Sequence, residues 1–153
     1  RDKVFAFSDP DSNSGYVVPV HELHQIGEKS GTFFGKTFFT WSHRKVVEAV
    51  AAGLAQGGSV DGYVWDTLAL QEPQLTARTR VVKTSMEFGF PPFVAGKAVP
   101  AADTAAMRDA LLAMAQDSDG IRLLQRLRLD GFVPGSDSMF DDISRTMRAV
   151  AEK

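Results

Sequence analysis

Hydrophobic positions in the first half of the chain form short runs that alternate with helical patterns. Short apolar, β-branched or aromatic runs predict four strands, at residues 4–8, 36–41, 60–65 and 79–84. The segments between them predict helices, at residues 16–28, 44–56 and, as a short piece, 66–70. Strands and helices that alternate in this way indicate an α/β domain with a mainly parallel sheet and flanking helices.

The pattern changes in the second half. Pro91 and Pro92 exclude a helix over residues 90–94 and favour an extended segment. Beyond it the apolar spacing predicts only helices, which begin at Asp103, at Ser118 or Asp119, and at Ser138, with a break over residues 130–135. We therefore divide the chain into an α/β lobe at residues 1–94 and a helical region at residues 95–153.

The turn after the first predicted strand concentrates hydrogen-bond donors. Ser12, Asn13 and Ser14 precede Gly15 at the start of the next helix. Hydroxyl and amide groups donate without adding charge, and the free N–H groups and dipole of a first helical turn favour an anion. The same residue types are preferred helix caps, and the spacing alone favours plain capping.

Three predicted loops share one edge of the sheet, since ligands of open parallel sheets bind beyond the carboxyl ends of the strands. These loops contain residues 9–15, 42–43 and 65–66. His43 begins the second helix and could donate an imidazole N–H to an anion; the alternative is a surface residue in the first helical turn. Asp66 could accept a hydrogen bond from a protonated ligand oxygen or an ammonium group; its alternative is a helix cap.

Composition restricts the class of partner. The 153 residues suffice for one domain with a core, and 44% hydrophobic and 24% charged residues are ordinary for a globular protein. A net charge of −2 gives no reason to expect nucleic acid or an anionic membrane as partner, so local dipoles would have to hold an anionic ligand. The absence of cysteine excludes disulfides and thiolate metal sites.

The chain lacks the usual sequence motifs of enzymes. A triad of one of the turn serines with His43 and Asp66 can be drawn, but no Gly-x-Ser-x-Gly elbow and no phosphate-binding loop of the nucleotide hydrolases is present. Asp61 precedes Gly62 at the start of a predicted strand, which places it at the opposite edge of the sheet as a turn residue. We expect no catalytic residue, no metal site and no cofactor.

With these residues in view, the chain resembles the phosphonate-binding family of solute-binding proteins, the periplasmic components of importers for phosphonate, phosphite and phosphate-like oxyanions. The turn at residues 9–16 and the Ser-His pair at residues 42–43 carry the resemblance most specifically. Further support comes from Pro19 and from the segments 60–62, 83–92 and 130–143. The resemblance implies a type II periplasmic-binding-protein fold.

The resemblance also implies ligand contacts. It assigns the oxyanion-binding turn to Ser12, Asn13, Ser14 and Gly15, and a further ligand contact to His43. Asn13 replaces the usual Thr of the turn, and Pro91 stands where some members carry an acidic residue for a ligand amino group. Asp66 is retained as the candidate acceptor.

Members of this family are two-lobed, so the resemblance implies that this chain is the second lobe and C-terminal region of an incomplete two-lobe protein. The helices from Asp103 onward would then pack on a first lobe, and their exposed apolar stripes would allow a homodimer. The implied function is reversible oxyanion binding in the bacterial periplasm or another extracytoplasmic compartment, with an ABC transporter permease as partner. A sensory domain of a signalling receptor and, less readily, an enzyme on a related two-lobe fold stay open.

Overall fold

Three parallel strands form the sheet of this protein, as seen in a computed structural model that describes residues 1–151. The strands are β1 (Val4–Phe7), β2 (Lys36–Phe39) and β3 (Gly57–Gly58), in the order β2-β1-β3. Val4 pairs with Lys36 and Phe5 pairs with Gly57. Because all pairings are parallel, the carboxyl ends of the strands meet at one edge.

Helices make up most of the remaining structure. The α-helices are α1 (Val18–Gln25), α2 (Ser30–Phe33), α3 (His43–Ala51), α4 (Gly62–Gln71), α5 (Pro73–Thr76), α6 (Ala101–Ala113), α7 (Ser118–Leu127) and α8 (Asp141–Ala151). A π-helical turn, Asn13–Val17, runs directly into α1, and 3₁₀ turns lie at Met114–Gln116 and Asp137–Phe140. The chain forms two compact units, one of residues 1–88 with α8 and one of residues 89–140.

The two faces of β1 pack against different partners, as the two-residue period of a strand requires. Ala6 lies on one face in a buried cluster with Val46 of α3 and Ala55. A Cβ on Gly58 would overlap Val46, so α3 approaches β3 closely only because glycine stands there. The other face is aromatic, since Phe5 stacks on Phe34 and Phe7 meets Tyr16 edge-on.

Helix α8 belongs to the first unit and packs against α1 and the π-helical turn. The second unit is held by its own contacts: the rings of Phe93 and Phe132 lie 5.6 Å apart, and Gly120 of α7 lies against the backbone of Met114. The division of the chain into a lobe at residues 1–94 and a region at residues 95–153 that packs on a further lobe stays a prediction.

Two of the four predicted strands are wrong. Residues 60–65 hold the start of α4, because the Asp61 side chain caps a helix there by accepting from the Val64 N–H at 3.3 Å. Residues 79–84 pair with no strand in the part of the chain described, and Val82 is 78% exposed. The third strand of the sheet is instead the short Gly57–Gly58.

Candidate anion-binding site

Side chains from all three strand ends meet at the carboxyl edge of the sheet. The loops after β1, β2 and β3 lead into helices that begin at Asn13, His43 and Gly62. The hydroxyl of Ser59 donates to the Ser14 carbonyl at 2.6 Å, which joins the β3 loop to the first turn. Asp61 then joins all three loops, because its carboxylate accepts from Ser14 Oγ at 3.3 Å and its N–H donates to His43 Nδ1 at 3.2 Å.

Ser12 caps the first helical segment and still keeps a donor. Its Oγ accepts from the Gly15 N–H at 3.0 Å, and its carbonyl accepts from the N–H groups of Tyr16 and Val17. The hydroxyl proton of Ser12 is not used by this cap. The N–H groups of Asn13 and Ser14 precede the first intrahelical bonds and so remain for a ligand. Capping and anion binding therefore use different atoms of the same turn.

Gly15 shapes the turn by close approach. It is buried, and its carbonyl accepts from the N–H of Ser8, which is itself fully buried. A Cβ on Gly15 would overlap Ser8 Oγ and lie 2.6 Å from Ser8 Cβ. Only glycine lets the helix start this close to the end of β1.

His43 presents one ring nitrogen as a donor. Because Nδ1 accepts the Asp61 N–H, the proton of the neutral ring lies on Nε2. His43 is also the first residue of α3, whose N-terminus receives no side-chain cap from Ser42. The imidazole N–H and the first N–H groups of α3 are therefore available together to an anion.

The acidic residue that joins the loops of this edge is Asp61 and not Asp66. Asp66 lies in the second turn of α4 with an exposed side chain, so its predicted position at a strand end is wrong. The sequence analysis placed Asp61 at the opposite edge because it assigned residues 60–65 to a strand. The signal that could have found it is an Asp followed by Gly at a helix start, a common N-cap pattern.

Asn13 and Trp41 are further polar and aromatic groups in these loops. The Oδ1 atom of Asn13 is buried and has no hydrogen-bond partner within residues 1–151. Trp41 follows β2 with φ of 62° and a side chain 72% exposed, a conformation that non-glycine residues adopt rarely. Its N–H donates to the Ser8 carbonyl at 2.6 Å, which ties this strained residue to the end of β1.

Arg44, which follows His43 in α3, is paired with carboxylates. Arg44 donates to Glu48 and, through two nitrogens, to Glu72. The hydrogen bond to Glu72 raises the pKa of Arg44, and the same bond lowers the pKa of Glu72. In the described part of the chain no three His, Asp or Glu side chains are grouped as metal ligands, and no helix is long and apolar enough to cross a membrane.

These features define an α/β domain in which helix starts and polar side chains gather at the carboxyl edge of a parallel sheet. Residues 1–140 match the model of the phosphonate-binding family, described as ABC transporter, phosphonate, periplasmic substrate-binding protein, and the chain belongs to this family. The resemblance and the α/β fold class predicted from the sequence are thus confirmed. The family consists of binding proteins and not enzymes, and its periplasmic character implies an extracytoplasmic location. A search of curated proteins found no match.

Solved structures share this fold. PhnD1 from Prochlorococcus marinus in complex with methylphosphonate is 17% identical with a TM-score of 0.82, over 100% of this chain and 58% of that chain. A binding protein component of an ABC phosphonate transporter from Pseudomonas aeruginosa is 19% identical with a TM-score of 0.83, over 98% and 50%. A Xanthomonas citri protein bound to chloride is 19% identical with a TM-score of 0.67, over 99% and 59%. The chain thus spans between half and three fifths of these proteins.

Proposed function

We propose that this chain is part of a periplasmic solute-binding protein and supplies one side of its ligand site. The protein binds a phosphonate, or the related phosphate or phosphite, reversibly and passes it to an ABC transporter permease. The observation that carries the proposal is the contact of Asp61 with both Ser14 and His43, which brings the first helical turn and the start of α3 to one place. Family membership supplies the ligand class.

The donors divide into backbone and side-chain groups. We assign the backbone contacts to the N–H groups of Asn13 and Ser14 and the side-chain contacts to the Ser12 hydroxyl and His43 Nε2. All of these groups are neutral donors in the resting site, which suits an anion that must also be released. Gly15 contributes packing, and Asp66 has no place in the proposed contact set because of its exposed position on α4.

Calorimetric titration tests the proposal. The full-length natural protein is titrated with methylphosphonate, phosphite and phosphate, as wild type and as His43→Ala. Loss of the imidazole donor to an anionic ligand is expected to cost about 1.5–3 kcal/mol, or roughly ten- to a hundredfold in affinity.

His21→Ala serves as the matched control, because His21 lies on α1 and pairs with Gln25 instead. Unchanged binding in this control with weakened binding in His43→Ala supports the proposal. No heat from any of the three anions, or equal affinity of wild type and His43→Ala, would refute it.

A further inference from the structure

The Ser14 hydroxyl donates its hydrogen bond to a carboxylate. A serine hydroxyl has one proton and two lone pairs, whereas an ionised carboxylate only accepts. Ser14 Oγ donates to Asp61 Oδ2 at 3.3 Å, and the other oxygen, Oδ1, accepts from the Val64 N–H. The Ser14 Oγ atom therefore offers lone pairs, and no proton, to a ligand in this turn.

We propose that Asp61, acting through Ser14, selects oxyanions that still carry a proton. This inference rests on the proposed function and adds a specificity to it. A monoprotonated phosphonate can donate its P–O–H to Ser14 Oγ, which donates in turn to Asp61. No bond breaks in this chain of hydrogen bonds. A fully deprotonated tetrahedral anion has no proton to donate. Its oxygen lone pairs would face the lone pairs of Ser14 Oγ, close to the Asp61 carboxylate.

The preference for a protonated over a deprotonated ligand depends on the free energy of leaving a hydrogen-bond acceptor unpaired. A site built to accept a ligand proton leaves its acceptor unpaired when the ligand has none, and Ser14 Oγ is a partly buried acceptor of this kind. Sulfate is the matched probe, because it is tetrahedral and dianionic and carries no proton at neutral pH. Asp61 is thus a positioning residue in this proposal, since it orients the Ser14 hydroxyl and does not touch the ligand.

Other charged groups of the surrounding elements define the pH range in which the proposal is tested. His43 on α3 accepts the Asp61 N–H, and Asp9 after β1 accepts from the Ser8 hydroxyl. Arg44 on α3 is paired with Glu48 and Glu72, and Asp66 on α4 is exposed. The pH dependence of binding is therefore measured above neutral pH, where the ligand itself loses its second proton.

The test is Asp61→Asn in the full-length natural protein, titrated with methylphosphonate and with sulfate. Asn caps a helix about as well as Asp, and the backbone N–H to His43 is unchanged. An Asn amide can donate to Ser14 Oγ, which frees the Ser14 proton for the ligand. We expect the preference for methylphosphonate over sulfate to fall about tenfold, and the loss of methylphosphonate affinity above neutral pH to become shallower.

Asp117→Asn is the control, because Asp117 caps α7 by the same kind of bond, to the Gly120 N–H at 2.8 Å. It should leave both ligand preference and pH profile unchanged. Ser14→Ala provides a second variant that spares the cap of α4, and it should lower the preference as Asp61→Asn does.

The inference would be overturned if both Asp61→Asn and Ser14→Ala kept the wild-type preference for methylphosphonate over sulfate and the wild-type pH profile. The proposed function would stay intact. Wild-type protein that fails to bind methylphosphonate at all would instead remove the proposed function, and this inference with it.

Discussion

Gly15 determines how closely the first turn approaches β1, and this single position controls the geometry of the donors around it. The carbonyl of Gly15 holds the Ser8 N–H, while its N–H is held by Ser12 Oγ. Ser8 directly follows β1 and is fully buried, and Ser12 caps the helical segment that begins at Asn13. The first turn is therefore positioned by packing as well as by hydrogen bonds.

Replacing Gly15 with Ala is expected to destabilise the fold. The added Cβ would overlap Ser8 Oγ, and Ser8 is fully buried and has no room to move away. Overpacking of this kind costs about 1–3 kcal/mol. Thermal unfolding followed by circular dichroism measures the effect, as a fall in Tm.

A double variant separates this clash from a loss of glycine's flexibility. Ser8→Gly removes both Ser8 atoms that the new Cβ would meet, so Ser8→Gly with Gly15→Ala should be less destabilised than the sum of the two single variants. Strictly additive losses would show that the clash is not the cause.

Residue types alone located part of the candidate site and missed another part. Ser12, Asn13, Ser14 and His43 stood out because each lies where a helix follows a strand, and the helices do begin there. Asp61 was misplaced because residues 60–65 were assigned to a strand. Its helix cap has a local signal, but its contact with Ser14, 47 positions away in the chain, has none. Such contacts follow from the tertiary fold and leave no local pattern.

At the scale of elements, an ion pair connects α3 with the junction of α4 and α5. Arg44 in the first turn of α3 pairs with Glu72, which lies between α4 and α5. Both helices flank the site, α3 through His43 and α4 through its cap Asp61. This exposed ion pair therefore helps to fix the spacing of two site elements.

The pairing predicts an acid-dependent contribution to stability. The Arg44 hydrogen bond holds the pKa of Glu72 below its ordinary value of 4.5 in the folded protein. The pair thus stabilises the fold fully above that value, and the contribution is lost as the pH falls through the lower folded pKa. Glu72→Gln should be less stable than wild type near neutral pH, and the two should converge in acid.

Urea unfolding at a series of pH values from about 6 to about 3 measures this difference. Glu87→Gln is the control, because Glu87 takes part in none of the ion pairs found in residues 1–151. A stability difference between wild type and Glu72→Gln that does not change with pH would contradict the interpretation.

Predictability from sequence differs between elements for physical reasons. The starts of α3, α6 and α7 lie within about two residues of their predicted positions, because apolar spacing is a local signal. Helix α3 ends at Ala51 and not at Gln56 as predicted, and α6 begins at Ala101 without the predicted Asp103 cap. Residues 60–65 were misassigned because a short apolar run fits a strand and a buried helix equally well. Residues 79–84 have a strand-like composition, but a strand needs a pairing partner, and composition does not supply one.

At the scale of the whole molecule, the chain spans only part of the structures that share its fold, and it exposes apolar side chains. The chain covers 58% and 50% of two structures that share its fold. Large apolar side chains are exposed in each unit, at Val81, Val82 and Met86 in the first and at Phe90, Phe93 and Val94 in the second. Exposed apolar residues this close together in sequence are typical of a surface that packs against another.

We predict that the 153-residue chain alone binds methylphosphonate at least about tenfold more weakly than the full-length natural protein, because a ligand held from one side keeps fewer contacts and more water. Titration calorimetry of both proteins compares the two affinities. Equal affinities would show that residues 1–153 form the complete site.

Sedimentation velocity on the 153-residue chain tests the predicted homodimer. A monomer at all concentrations would exclude it.

The central claim is that the first turn and His43 hold the same anion. A crystal structure of the full-length natural protein with methylphosphonate tests it most directly. We predict phosphonate oxygens within hydrogen-bond distance, about 3 Å, of the N–H groups of Asn13 and Ser14 and of His43 Nε2. A ligand bound elsewhere, or bound without His43, would contradict the claim.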